Sequence, residues 1–232
     1  MKTSKKNKIL FILFAALLFA LTGCKIDFSG KITISDIIEL ASKQGNISST
    51  NGSIKLQMAS IQSCEEEKDK IASQLRQFFL NFEPKSCDNF QMESYLTGSI
   101  KIPLLSSSTG WERNTSSVFA LRVKYSKKIG GIDLDLLSNQ GQFRKLSSHI
   151  GNNFFKQLDL KESVLTLEIE NDQNSHRLLL ISDAFINDDP FIGEEAFQVS
   201  RRETVKIGLS DVRREHLSRF GWAPVLSLVT GI

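Results

Sequence analysis

The feature that most constrains this chain is period-two alternation of apolar residues, repeated in short stretches. Ile54, Leu56 and Met58 alternate with Lys55 and Gln57, and Ile132, Leu134 and Leu136 alternate with Asp133 and Asp135. Phe119, Leu121, Val123 and Tyr125 share one parity, as do Leu165, Leu167 and Ile169. Successive side chains of a strand face opposite sides, so each stretch predicts a strand with one buried face. Strands are also predicted over 176–186 and 204–209. Phe90, Met92, Leu96, Ile100, Ile102 and Leu104 predict a long strand or bent pair over 90–104, with a bulge at Gly98 and an edge near Pro103. The turn at 127–131 joins 119–125 to 132–136 as a hairpin.

Two stretches switch to helical spacing. Ile71, Leu75, Phe78, Phe79 and Phe82 form a stripe, and Ser63-x-x-Glu66 reads as a capping box, so a helix is predicted over 64–80, ended by Pro84. Phe143, Leu146, Ile150, Phe154 and Leu158 predict a second over 141–158. Shorter helices are expected at 36–43, capped by Ser35-Asp36, and from Ser210-Asp211 to Arg219, with Gly221 after it. Residues 45–53 read as a polar loop, and 225–229 as a buried tail. The expected fold class is α+β: a mostly antiparallel sheet with two main amphipathic helices packed on it. A weak echo relates 52–82 to 130–158, a strand leading through a helix to a Phe pair in each, which suggests two similar halves. The expected division is 1–23, a half over 24–104, a Ser/Thr-rich loop or linker over 105–117, and a half over 118–232.

The first 24 residues have a different character. Lys2, Lys5, Lys6 and Lys8 precede thirteen uncharged residues, Ile9 to Leu21. Such a helix is roughly 20 Å long, short of the ~30 Å hydrocarbon core, so it reads as an export signal and not a span. It ends Leu21-Thr22-Gly23-Cys24, which resembles the lipobox of bacterial lipoproteins. That resemblance implies cleavage between Gly23 and Cys24, thioether lipidation of Cys24 and acylation (palmitate or a similar chain) of its new amine. It also implies anchoring in the cell envelope. Lys25 stands where Asp would retain an enterobacterial member in the inner membrane, so the outer membrane is favoured. Two or three acyl chains suffice for stable anchoring.

The leader also accounts for the charge. The whole chain carries 29 Lys plus Arg against 26 Asp plus Glu, net +3. Removing four leader lysines leaves 25 against 26. A nucleic-acid partner thereby loses its compositional support. Cys64 and Cys87 remain as an even pair in an oxidising compartment, and a helix followed by a direct return of the chain lets them meet, so a disulfide is expected.

No motif specifies an activity. His149, His176 and His216 lack metal spacing, there is no Gly-x-Ser-x-Gly elbow, and no loop suits a phosphate. No metal or cofactor is expected. Asp183, Asp188, Asp189, Glu194 and Glu195 read as an acidic loop. Arg201, Arg202, Arg213 and Arg214 are candidates to contact anionic lipid or a partner protein, the alternative being pairing within the chain. The abundant Phe suit a core or an apolar pocket. The reading is a lipid-anchored envelope protein, non-enzymatic, that binds another envelope protein or joins an assembly. The alternatives are a carrier of lipid or another apolar ligand, and an enzyme with a noncontiguous site.

Overall fold

A computed structural model describes residues 25–42, 47–90, 92–106, 116–126, 130–154 and 158–230. The predicted leader, with Gly23 and Cys24, and most of the 105–117 segment lie outside these residues. No helix among the described residues is long and apolar enough to cross a membrane.

Eleven strands and four helices follow one another along the described chain. The order is β1 (Ile26–Thr33), α1 (Ile34–Ser42), β2 (Ile47–Met58), α2 (Ile61–Leu75), β3 (Leu80–Phe90), β4 (Glu93–Ser106), β5 (Phe119–Ser126) and β6 (Gly131–Ser138). Then come α3 (Gln140–Phe154), β7 (Leu165–Glu170), β8 (Arg177–Ile186), β9 (Asp189–Val199), β10 (Thr204–Leu209), α4 (Asp211–Phe220) and β11 (Trp222–Leu228).

The expected open sheet under two helices is corrected: the sheet closes. Its order is β10-β7-β1-β2-β4-β5-β6-β11-β8, and β8 pairs back onto β10 through Ala184↔Leu209 and Ile186↔Ile207, giving a nine-stranded barrel. Closure removes the open edges that a flat sheet would carry. Most pairs are antiparallel, but β1–β7 and β4–β5 are parallel. β3 pairs onto β4, and β9 onto β8, outside the circuit. Strands from both sides of residues 105–117 share this one sheet and one continuous apolar core.

The inward parity is the one the sequence displays. Ile26, Phe28, Leu56, Leu121, Leu134 and Ile169 are all at most 1% exposed. Phe28 meets Phe119 at 4.6 Å between ring centroids, and Phe79 lies 6.4 Å from Phe119, so aromatic rings fill the interior. α1 buries Ile34, Ile37, Leu40 and Ala41 and touches β1, β4, β5 and β6, bridging across the barrel at the end of β1 remote from Lys25. Thr33 and Asp36 cap it reciprocally, with Asp36 N–H donating to Thr33 Oγ1 at 3.1 Å and Thr33 N–H to Asp36 Oδ2 at 3.3 Å.

Several local expectations shift. α2 is capped by Ser60 with Ser63, three residues before the expected capping box, and stops at Leu75. That early stop lets the chain return as β3 and brings Cys87 to Cys64 in a disulfide, 6.0 Å between α-carbons. The expected bulge falls beside Gly98: its partner strand β3 shifts register between Pro84, opposite Gly98, and Ser86, opposite Thr97, while Gly98 pairs regularly with Ile54 on β2. The ring of Phe82 occupies the place of the glycine's missing side chain, and a Cβ there would lie 2.2 Å from that ring. Pro103 falls between the last β3 partner on β4, Lys101, and the first β5 partner, Leu104, where the ladder on that side is interrupted. Residues 48–53 are not a loop but strand, paired to 99–104.

Candidate functional site

The predicted acidic loop is the β8–β9 hairpin. Pairing runs from Arg177↔Val199 to Ser182↔Glu194, shifts, and resumes from Ala184↔Phe191 to Ile186↔Asp189. At the shift Asp183 adopts φ 42° and Gly193 φ 95°, with Gly193 N–H donating to Asp183 Oδ1 at 3.1 Å. Such a bulge twists the strand and re-aims its side chains. Here Ile192 is turned out, 91% exposed.

Across from this bulge stands the start of α4. Ser210 has N-cap geometry but makes no side-chain capping bond, and its Oγ is buried without a hydrogen-bond partner among the described residues. Between the two elements runs an open groove of about 400 Å³, lined by Phe185, Pro190, Phe191, Ile192 and Val212, with Asp183 and Asp211 at its rim. Val212 is 73% exposed, so the groove is apolar on both walls. Asp211 pairs with Arg214, and Asp188 with Lys206 at 2.7 Å. Asp189, Glu194 and Glu195 make no ion pair with a described residue, so the hairpin keeps an acidic surface beside an apolar trough.

The four candidate arginines do not form one patch. Arg201 and Arg202 are exposed after β9. Arg213 is 9% exposed and donates through Nη2 to Ser182 Oγ at 2.6 Å and through Nη1 to the Pro224 carbonyl. Burial pushes its guanidinium pKa down, opposed by Asp183 and Asp135. Arg214 donates to the Ser163 carbonyl at 2.6 Å. Arg213 and Arg214 are turned into the fold, the alternative of pairing within the chain, and both donate to backbone carbonyls that need partners.

A third charged cluster went unread in the sequence. On the outward parity of β5 and β6, Asp135 is 1% exposed and accepts from Arg122 Nη2 at 2.8 Å and Lys124 Nζ at 2.7 Å. Both cations also lie over the Trp222 ring, at 5.9 and 5.3 Å. Alternation of Asp133 and Asp135 with apolar residues marked them as outward, but nothing in the sequence marked one as covered.

The histidines stay apart. His149 meets Phe78 edge-on at 5.7 Å beside a groove of about 430 Å³ along α3 that also holds Arg144 and Lys145. His216 contacts the Trp222 carbonyl through Nδ1 at 2.7 Å, and His176 is exposed. Among the described residues no group of three or more His, Cys, Asp or Glu is placed to hold a metal ion.

Together these features define a class: a closed, mixed nine-stranded barrel with a continuous apolar core, two strands paired outside the circuit, and an apolar, acid-rimmed groove. Residues 27–230 match the family described as "Domain of unknown function (DUF7424)", and the chain belongs to it. No curated protein and no solved structure matches the chain.

Proposed function

We propose that the protein is an exported lipoprotein, anchored through acyl chains on Cys24, whose barrel is a non-enzymatic binding component of the cell envelope. The observation that carries this reading is the run from Lys2 to Cys24, ending Leu21-Thr22-Gly23-Cys24 directly before β1. Two further facts support it. The family match begins at residue 27, so residues 1–26 lie outside the matched domain. The Cys64–Cys87 disulfide suits an oxidising compartment. Lys25 favours the outer membrane.

The binding surface we assign is the groove between the β8–β9 hairpin and α4. Its occupant is a segment of another envelope protein that offers an apolar side chain to Phe185, Ile192 and Val212 and basic residues to Asp189, Glu194 and Glu195. Radiolabelled palmitate fed to cells tests the anchor. The native chain takes up label and sediments with membranes, and Cys24→Ser does neither; equal labelling of the two overturns the reading. A photo-crosslinker at Ile192 tests the groove. A discrete adduct lost on Val212→Asp supports it, and an unchanged pattern refutes it.

A further inference from the structure

A second surface lies where the barrel meets its anchor. Lys25, the residue after Cys24, is fixed to the domain: Gln57 N–H donates to its carbonyl at 3.0 Å, and its own N–H donates to Gln57 Oε1 at 3.3 Å. Its Nζ lies 3.9 Å from Glu93 Oε1. Consecutive α-carbons are about 3.8 Å apart, so acyl chains on Cys24 must leave the domain at this point and hold it against the bilayer.

Around Lys25 stand three of the nine exposed large apolar side chains of the described residues. Phe90, 59% exposed, is the cross-strand partner of Glu93, and Met92, fully exposed, is its neighbour in sequence. Val164, 51% exposed, is bonded to both Asp27 and Phe28, with Phe28 N–H donating to its carbonyl at 2.8 Å. Lys55 Nζ lies over the Phe90 ring at 5.7 Å, an ammonium above an apolar body, as in side chains that sit at a headgroup boundary. Single exposed apolar residues are ordinary. Three around one fixed point, and that point the attachment of the lipid, are not.

We propose that Phe90, Met92 and Val164 form a bilayer-docking surface that enters the interfacial region beside the acyl chains and sets the orientation of the barrel. The occupant is the phospholipid surface itself. Local charge is balanced, Lys25 and Lys55 against Asp27 and Glu93, so contact rests on apolar insertion and not on anionic lipid. The inference rests on lipidation of Cys24. Docked in this way, the barrel would lie on the membrane instead of swinging on its anchor.

The test uses the lipidated full-length product in vesicles of tritiated phosphatidylcholine. p-Benzoylphenylalanine replaces Phe90 in one sample and Tyr125 in another. Tyr125 is 64% exposed but lies on β5, which pairs with β4 only at 104–106, the end remote from Glu93. On irradiation, a radiolabelled lipid adduct several-fold stronger from position 90 than from 125 is expected, reduced by Met92→Asp and Val164→Asp together. Equal adducts from a protein that sediments with the vesicles overturn the docking surface and leave the anchor standing. A full-length product that carries no lipid and stays in the supernatant overturns both.

Discussion

The guanidinium of Arg213 stitches Ser182 of β8 to Pro224 of β11, at the place where the ladder between those strands has ended. β11 pairs β8 only at Leu179 and Leu180, and β8 then passes to β10 at 184–186. The split leaves strand groups without backbone partners, and Arg213, carried on the helix that links β10 to β11, supplies the donors. Removing it should be costly. Arg213→Ala is expected to lower unfolding free energy by roughly 3 kcal/mol, since buried acceptors are left unsatisfied. Arg201→Ala should stay within about 0.5 kcal/mol of the native chain. Urea titrations of both variants decide it; equal midpoints would refute the stitch.

The Cys64–Cys87 bridge closes a loop across α2 and β3. On the chain-entropy argument it contributes about 3 kcal/mol. Reductant, or Cys64→Ala with Cys87→Ala, should lower the thermal midpoint. Thiol counts on the unfolded, unreduced protein should show neither Cys64 nor Cys87 reactive, and titration of both would sink the assignment.

Gly98 is held by Phe82. Gly98→Ala forces a methyl against that ring, and a destabilisation of about 1–3 kcal/mol is expected for such overpacking. Phe82→Leu, itself destabilising because it leaves a cavity, should recover part of that loss when combined with Gly98→Ala. Additive losses in the double variant would show that the two do not compete for one space.

Asp27 gives a pH signature. Burial raises its pKa, opposed by the Val164 N–H and by Lys55 and Lys25. A carboxyl with a raised folded-state value binds its proton more tightly in the native chain than in the unfolded one. Its contribution therefore disfavours folding increasingly as pH rises from the unfolded value, about 3.9, through the folded value, and is constant above. Asp27→Asn keeps an acceptor for Val164 and lacks the charge. It should match or exceed the native chain in stability at neutral pH, with the difference vanishing near pH 3. A gain that persists unchanged at low pH would contradict this.

Most strands of the circuit showed apolar residues on one parity, because each buries one face against the interior. Two of the strands that the sequence hid, β3 and β9, lie outside the circuit, while β11, read only as a buried tail, lies within it and changes parity at the register shift between Pro224 and Leu226. β9 is exposed along most of its length, and β3 buries little beyond Phe82. A strand held by backbone pairing with neither face covered has no reason to alternate, so β9 read as a loop and β3 as the end of a helix. The polar first half of β2 was missed for the same reason. The groove followed β9 into obscurity, since half of its wall is that strand.

Composition and local spacing determined what depends on neighbours in the chain. The leader and its lipobox resemblance, the inward parity of the strands, the helical stripes, and the Ser210 and Gly221 boundaries of α4 are all effects of a few consecutive residues. Tertiary structure alone decided the rest. Closure depends on β8 reaching β10, and the cluster at Asp135 on two cations that lie over a tryptophan 87 positions from it. The fate of the arginines depends on which carbonyls the fold leaves bare. A charged side chain looks the same in sequence whether it meets water or a stranded carbonyl. Only the packing of distant segments removes the water and makes the difference.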